Sequence, residues 1–74
     1  MLLSIGQAAE RIGCPASTIR YYEDIGLVPP ATRGDNGYRY YNQPAVARLA
    51  FAHRARALGF SLAAVASLLR LADH

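Results

Sequence analysis

The chain has 74 residues, 8 basic against 5 acidic side chains, a net charge of +3 and a single cysteine, Cys14. A domain this small buries only about 60% of the surface its unfolded chain exposes, and one cysteine forms no internal disulfide, so dense packing or a partner must stabilise it, as fits a reducing compartment. Met1-Leu2-Leu3-Ser4 lacks the basic start and apolar run of a secretory leader, and no apolar stretch approaches the roughly 20 residues of a membrane span. The expectation is therefore one cytoplasmic domain over residues 1–74, without membrane contact.

A first helix begins at Ser4, where Ser4 and Gln7 have the spacing of a capping box. Ile5, Ala8, Ala9 and Ile12 recur at helical spacing, and Gly13 suits a left-handed cap. A second helix follows at once, with Pro15 expected in its first turn. Ile19 and Tyr22 share an apolar face with Ile25 or the turn just before it. Gly26 is the stop and Leu27 folds back on the helix. Val28-Pro29-Pro30 then enforces extended chain.

Thr32-Arg33 and Tyr38-Arg39-Tyr40-Tyr41 flank Gly34-Asp35-Asn36-Gly37. Asn-Gly is a hairpin-turn signal and aromatic residues favour the strand beyond it. This predicts a two-stranded hairpin with arginine on both arms. Alternation sends either Tyr40 or Tyr41 inward. A third helix is capped by Asn42, with Pro44 in its first turn. Val46, Leu49, Ala50, Ala52, Ala55 and Leu58 make its apolar side, and Gly59 stops it. Ser61 caps a fourth helix, Phe60 and Val65 have the spacing of a hydrophobic staple, and Leu62, Val65, Leu68, Leu69 and Ala72 continue the stripe. The fold class is mainly α: a winged helix-turn-helix of four helices and a two-stranded β-hairpin wing.

Two short helices separated by a few residues are the helix-turn-helix arrangement, in which the second helix enters the major groove by its N-terminal part. Ala16, Ser17, Thr18, Arg20 and Tyr21 should be exposed there. Small residues first and a long arginine later suit close approach to base edges. Arg20 is suited to guanine or phosphate, Ser17 and Thr18 to either, and Tyr21 to a phosphate oxygen. Against this, Arg20 can pair with Glu23 or Asp24, Thr18 can be a plain surface residue, and Tyr22 reads as core. Arg33, Tyr38 and Arg39 would place the wing on the sugar-phosphate backbone or in the minor groove. All eight cations are arginine, whose planar fork fits phosphates and guanine edges. A solvated basic surface is the alternative that composition alone leaves open.

TIRYYEDIGLVPP (Thr18 to Pro30), GYRYY (Gly37 to Tyr41) and RARALGFSL (Arg54 to Leu62), in this order and spacing, strongly resemble the N-terminal domain of the MerR family of bacterial transcription regulators. The resemblance spans nearly the whole chain. It implies a winged helix-turn-helix followed by a helix pair acting as a second wing. It implies double-stranded DNA as partner, bound by a homodimer on an inverted repeat in a promoter. RNA polymerase is engaged indirectly, through untwisting of an overlong spacer. By position it assigns DNA contact to Arg20, Tyr21, Tyr38 and Arg39, and phosphate contact to Arg54 and Arg56. The helix N-terminus at Ser61 adds free N–H groups. Pro15 departs from the family's polar cap, and Ala57, Ala63 and Ala64 replace acidic residues. Family members continue past the position of His74 into a dimerisation helix and an effector-binding segment; a domain of a longer chain and a stand-alone member both fit the sequence.

No cofactor is expected. Cys14, His53 and His74 are too few and scattered for a metal site, and a lone cysteine here is more often a small core residue. Glu10, Glu23, Asp24, Asp35 and Asp73 show no acid–base pairing, and no phosphate-binding glycine loop appears, so no enzyme is expected. Two alternatives remain: a protein-interaction module using the apolar C-terminal helix, and an excisionase-like factor that bends DNA architecturally.

Overall fold

The computed structural model describes residues 2–73. Met1 and His74, the latter weighed above as a metal donor, lie outside the described residues. In chain order the elements are β1 (Leu3–Ser4), α1 (Ile5–Ile12), α2 (Ala16–Asp24), β2 (Thr32–Arg33), β3 (Arg39–Tyr41), α3 (Gln43–Ala57) and α4 (Leu62–Ala72). Among the described residues no helix is long and apolar enough to cross a membrane.

The four helices fall where periodicity and caps place them. Ser4 and Gln7 do form the capping box: Ser4 N–H donates to Gln7 Oε1 at 2.9 Å and Gln7 N–H to Ser4 Oγ at 3.2 Å. Asn42 Oδ1 accepts from Ala45 N–H at 2.9 Å to start α3. Pro15 departs from expectation. It sits one position earlier, at the N-cap of α2, with no side chain to satisfy the first turn. The end of α2 is better built. Gly26, at φ +83°, donates to Glu23 C=O at 3.1 Å and Leu27 N–H to Tyr22 C=O at 3.0 Å. This pair of bonds is the Schellman motif, and it carries Leu27 back into the core.

The sheet exceeds the hairpin that was expected. It has three strands in the order β1-β3-β2. Leu3 lies opposite Tyr41 and Ser4 opposite Tyr40, both antiparallel, so the two residues of β1 cover what would be the free edge of β3. Two residues are too short for a period-two signal, and Ser4 was already committed to its cap. The wing turn is not a two-residue turn of the primed type. Asn-Gly in a two-residue turn of the primed type needs φ > 0 at both positions, yet among the described residues only glycines have positive φ. Gly37 N–H donates to Gly34 C=O at 2.9 Å and Gly34 N–H to Tyr38 C=O at 3.0 Å. Asn36 instead accepts from Tyr38 N–H at 3.0 Å, and Gly37 alone takes the left-handed position.

Ile19, Tyr41, Leu49 and Val65 are the largest fully buried side chains. Ala8, Ala52 and Ala55 are also buried, and their small size lets α1 and α3 approach closely. Tyr22 is core, and Tyr41 is the inward tyrosine of the pair. Several apolar residues depart from expectation: Ile25 is exposed, Leu68 and Ala72 of the α4 stripe are exposed, and Leu58, expected on the buried side of α3, is 80% exposed. The stripe of Val46, Leu49, Ala52 and Ala55 runs inward, but Leu58 lies past the last helical residue, where the chain reverses at Gly59.

One carboxylate joins the wing to α2. Glu23 Oε2 accepts from Ala31 N–H at 2.9 Å, Oε1 accepts from Tyr41 O–H at 2.9 Å, and Arg39 Nε lies 3.3 Å from Oε1. Burial, then the Glu23 carboxylate, pushes the Tyr41 phenol well above its ordinary value, while Arg39 and Arg20 oppose the shift. A raised folded-state value means that this contribution is fully present below the unfolded phenol value of about 10 and is lost as pH rises above it.

Tyr41→Phe is therefore expected to cost about 1–3 kcal/mol near neutrality, and the gap to the parent should narrow above about pH 10. Urea denaturation at a series of alkaline pH values checks this; a gap independent of pH would contradict it. Gly26→Ala meets no atom within 4 Å, so it should lose only the left-handed backbone cost of about 1–2 kcal/mol, read as a lower urea midpoint at unchanged slope.

Candidate nucleic-acid interface

Helix α1, a break at Gly13-Cys14-Pro15, and α2 form the helix-turn-helix. Gly13 makes the tight exit, at φ +88° and with its N–H on Ala9 C=O at 2.8 Å. The inner face of α2 is fixed by Ile19 and Tyr22. Its outer face therefore presents Ser17, Arg20 and Tyr21 to solvent, with Ala16 and Thr18 half-buried. The Tyr21 ring rests against Tyr22, centroids 6.0 Å apart, which limits its freedom.

Two open grooves flank this helix. On one side Arg20 shares a groove with the wing residues Arg33, Tyr38 and Arg39. On the other, Ser17, Thr18 and Tyr21 share a groove with Arg56 from α3 and Leu62 from α4. Eight of the ten residues picked from sequence thus converge around α2. Arg54 and Ser61 line neither groove. Arg54 is exposed near the end of α3. The Ser61 hydroxyl is occupied as the cap of α4, accepting from Ala64 N–H at 3.1 Å.

Several arginines are braced by local carbonyls. Arg33 Nη1 donates to Gly37 C=O at 2.9 Å across the wing turn, and Arg56 Nη1 to Phe60 C=O at 2.8 Å across the α3–α4 reversal. Each bond uses one of the guanidinium's five donors. Tyr38, 68% exposed, stands near the wing tip. The pairing of Arg20 with Glu23 or Asp24, open on sequence grounds, is not formed. Among the described residues the ion pairs are Arg39–Glu23 and Arg48–Asp73. Arg39, picked as a free wing cation, is thus partly engaged within the fold, its side chain 26% exposed and that of Glu23 only 11%.

Sequence reasoning missed two residues that shape this surface. Glu23 was weighed as a partner for Arg20 and as an acid–base group, but not as a link to the wing; its position beside buried Tyr22 was the available signal. Arg48, between Val46 and Leu49, carries no comparable signal. It donates from Nη1 to Asp73 at 2.6 Å and from Nη2 to Leu27 C=O at 3.2 Å, so it ties α3 to the end of α4 and to the exit of α2. No group of three potential metal ligands comes together among the described residues. Cys14 is half-buried against the core, and burial raises its thiol pKa.

Residues 3–72 match the family model described as MerR HTH family regulatory protein. The chain is 54% identical over 69 residues to the HTH-type transcriptional regulator HmrR of Rhizobium leguminosarum bv. viciae, covering 93% of this chain and 53% of that protein. It is 44% identical over 74 residues to the mercuric resistance operon regulatory protein of Bacillus cereus, covering 100% of this chain and 56% of that protein. Its fold matches the crystal structure of HiNmlR, a MerR family regulator lacking the sensor domain, bound to promoter DNA. The TM-score is 0.88 at 27% identity, covering 99% of this chain and 55% of that one. The chain thus spans about half the length of the relatives it matches. Helix-turn-helix, wing and paired helices, together with the match over residues 3–72, place this chain in the MerR family of helix-turn-helix regulatory proteins.

Proposed function

We propose that residues 1–74 are the DNA-binding unit of a transcription regulator that reads duplex DNA with α2. The observation that carries this reading is the convergence of Arg20, Arg33 and Arg39 in one groove and of Ser17, Thr18, Tyr21 and Arg56 in the other. A helix flanked by one groove with three arginines and another with hydroxyls and Arg56 suits a helix in the major groove with a phosphate strand on each side. Arg20 has the reach for a guanine edge. Arg33, Tyr38 and Arg39 face one strand from the wing. Arg56 faces the other from the second groove, and outside that groove Arg54 and the free N–H groups of the α4 terminus at Ser61 would extend the contact along the same strand. HiNmlR, bound to promoter DNA, supports the same use of this fold.

Promoter binding as a homodimer on an inverted repeat, with distortion of the spacer and an indirect effect on RNA polymerase, is the fuller form of this reading. It takes place in the cytoplasm, involves no catalysis and requires no cofactor in this unit. The exposed Leu68 and Leu71 and the apolar groove of Ala47, Phe51, Leu68 and Ala72 support a contact surface for assembly. One half-site offers limited area, so the isolated chain should bind weakly.

Selection from random duplex DNA, followed by a salt titration of the winner, tests the proposal: an enriched repeat with a steep salt slope supports it, and no enrichment at low salt sinks it. On the selected duplex, Arg20→Ala should weaken binding by about 1–3 kcal/mol and relax preference at one position. An equal loss on all sequences would make Arg20 a phosphate contact. Arg33→Ala should leave the preferred site unchanged and reduce the salt slope by about one unit; an unchanged slope would remove Arg33 from the interface.

A further inference from the structure

The Arg39–Glu23 pair has a geometry that neither a free DNA-binding cation nor a plain structural ion pair accounts for. The Arg39 Nε atom is buried and has no hydrogen-bond partner; its nearest anion is Glu23 Oε1 at 3.3 Å. The side chain nevertheless keeps 26% of its surface exposed and lines the groove beside Arg20 and Arg33. Since Nε itself is inaccessible, the exposed surface belongs to the rest of the side chain. Glu23 stands one turn along α2 from Arg20, and its two oxygens are held by Ala31 N–H and Tyr41 O–H. These bonds come from the entry to β2 and from β3, so the carboxylate is fixed from two sides of the wing. Three arginines gathered in one groove repel one another, and a fixed carboxylate against one of them offsets that repulsion without filling the groove.

We infer that Glu23 is a positioning residue for DNA recognition: itself fixed by Ala31 N–H and Tyr41 O–H, it holds Arg39 by its buried Nε side, so that the outer part of the guanidinium faces the phosphate strand next to the base read by Arg20. The inference rests on the DNA-binding reading above. Its physical logic is that of a pre-oriented ligand side chain, in which a fixed second partner removes rotamer freedom before the anion arrives.

Simple electrostatics points the other way, which makes the two accounts separable. Glu23→Gln is nearly isosteric and raises the net charge by one. If Glu23 merely subtracted charge from the surface, the variant would bind DNA more tightly with a steeper salt slope. If Glu23 served folding alone, the variant would be less stable, yet its folded fraction would bind as the parent does. Positioning requires weaker binding by the folded variant, and requires the effect to pass through Arg39.

The experiment is a double-mutant cycle by fluorescence anisotropy at low salt, on a duplex selected from random DNA by the parent chain. The proteins are the parent, Glu23→Gln, Arg39→Ala and the double variant, each shown folded by circular dichroism under the assay conditions. The expected result is a loss of about tenfold for Glu23→Gln, shrinking to less than about twofold in the Arg39→Ala background. In parallel, the 15N-detected resonance of Arg39 Nε–H should move in Glu23→Gln without DNA. Tighter binding by Glu23→Gln, or the same loss with and without Arg39, would overturn the inference while leaving DNA binding intact. Failure of the parent chain to select any duplex would remove both.

Discussion

Glu23 holds together two elements that the chain connects only through an extended, proline-containing segment. Val28-Pro29-Pro30 has no regular hydrogen bonding of its own to orient the wing beyond it. The angle between α2 and the sheet therefore depends on the contacts that cross between them, and the carboxylate crosses three times, to Ala31, Tyr41 and Arg39. Charged hydrogen bonds in a partly desolvated site are individually worth about 1.5–3 kcal/mol. For a domain this small that is a large share of total stability. The arrangement also fixes the spacing between α2 and the hairpin of β2 and β3.

The same economy of contacts recurs elsewhere in the molecule. Arg48 bridges Asp73 and the Leu27 carbonyl, so the end of α2 is anchored to α3 just as the start of the wing is anchored to α2. Arg56 closes the α3–α4 reversal on Phe60, and Arg33 closes the wing turn on Gly37. Arginine serves these positions because one N–H can bind a carbonyl while others face solvent or a phosphate. A lysine ammonium, a point charge on a flexible stem, would make the inner contact or the outer one with less geometric coupling between them. The absence of lysine from the sequence is consistent with this double use.

Small side chains complete the frame. Ala8, Ala52 and Ala55 occupy buried positions, which keeps helix separations short and lets four larger residues fill the centre. Apolar surface left over is found at the far end, where Leu68 and Leu71 are exposed and Ala47, Phe51 and Ala72 border a shallow groove. That face lies on α3 and α4, and most of the basic grooves' residues lie on α2 and the wing, so the chain has two chemically distinct surfaces.

The four helices, the hairpin and most of the candidate surface are legible in the sequence alone. Ser4–Gln7, Gly13, Gly26, Asn42, Gly59 and Ser61 set helix ends through local backbone chemistry, and local chemistry is what spacing records. Helical periodicity sorted Ile19 and Tyr22 inward from Arg20 and Tyr21 outward for the same reason. Tertiary structure alone decided the rest. The pairing of Leu3–Ser4 with β3 joins residues nearly forty positions apart, and two residues carry no periodic signal. Leu58 counts as apolar in any periodic scheme, but its exposure is set by where the chain turns. The choice of Arg39 over Arg20 as the partner of Glu23 comes from the fold, because a carboxylate within reach of several cations pairs with whichever the packing brings alongside. Sequence spacing reports on one element at a time, and a charge held between two elements has no spacing to report.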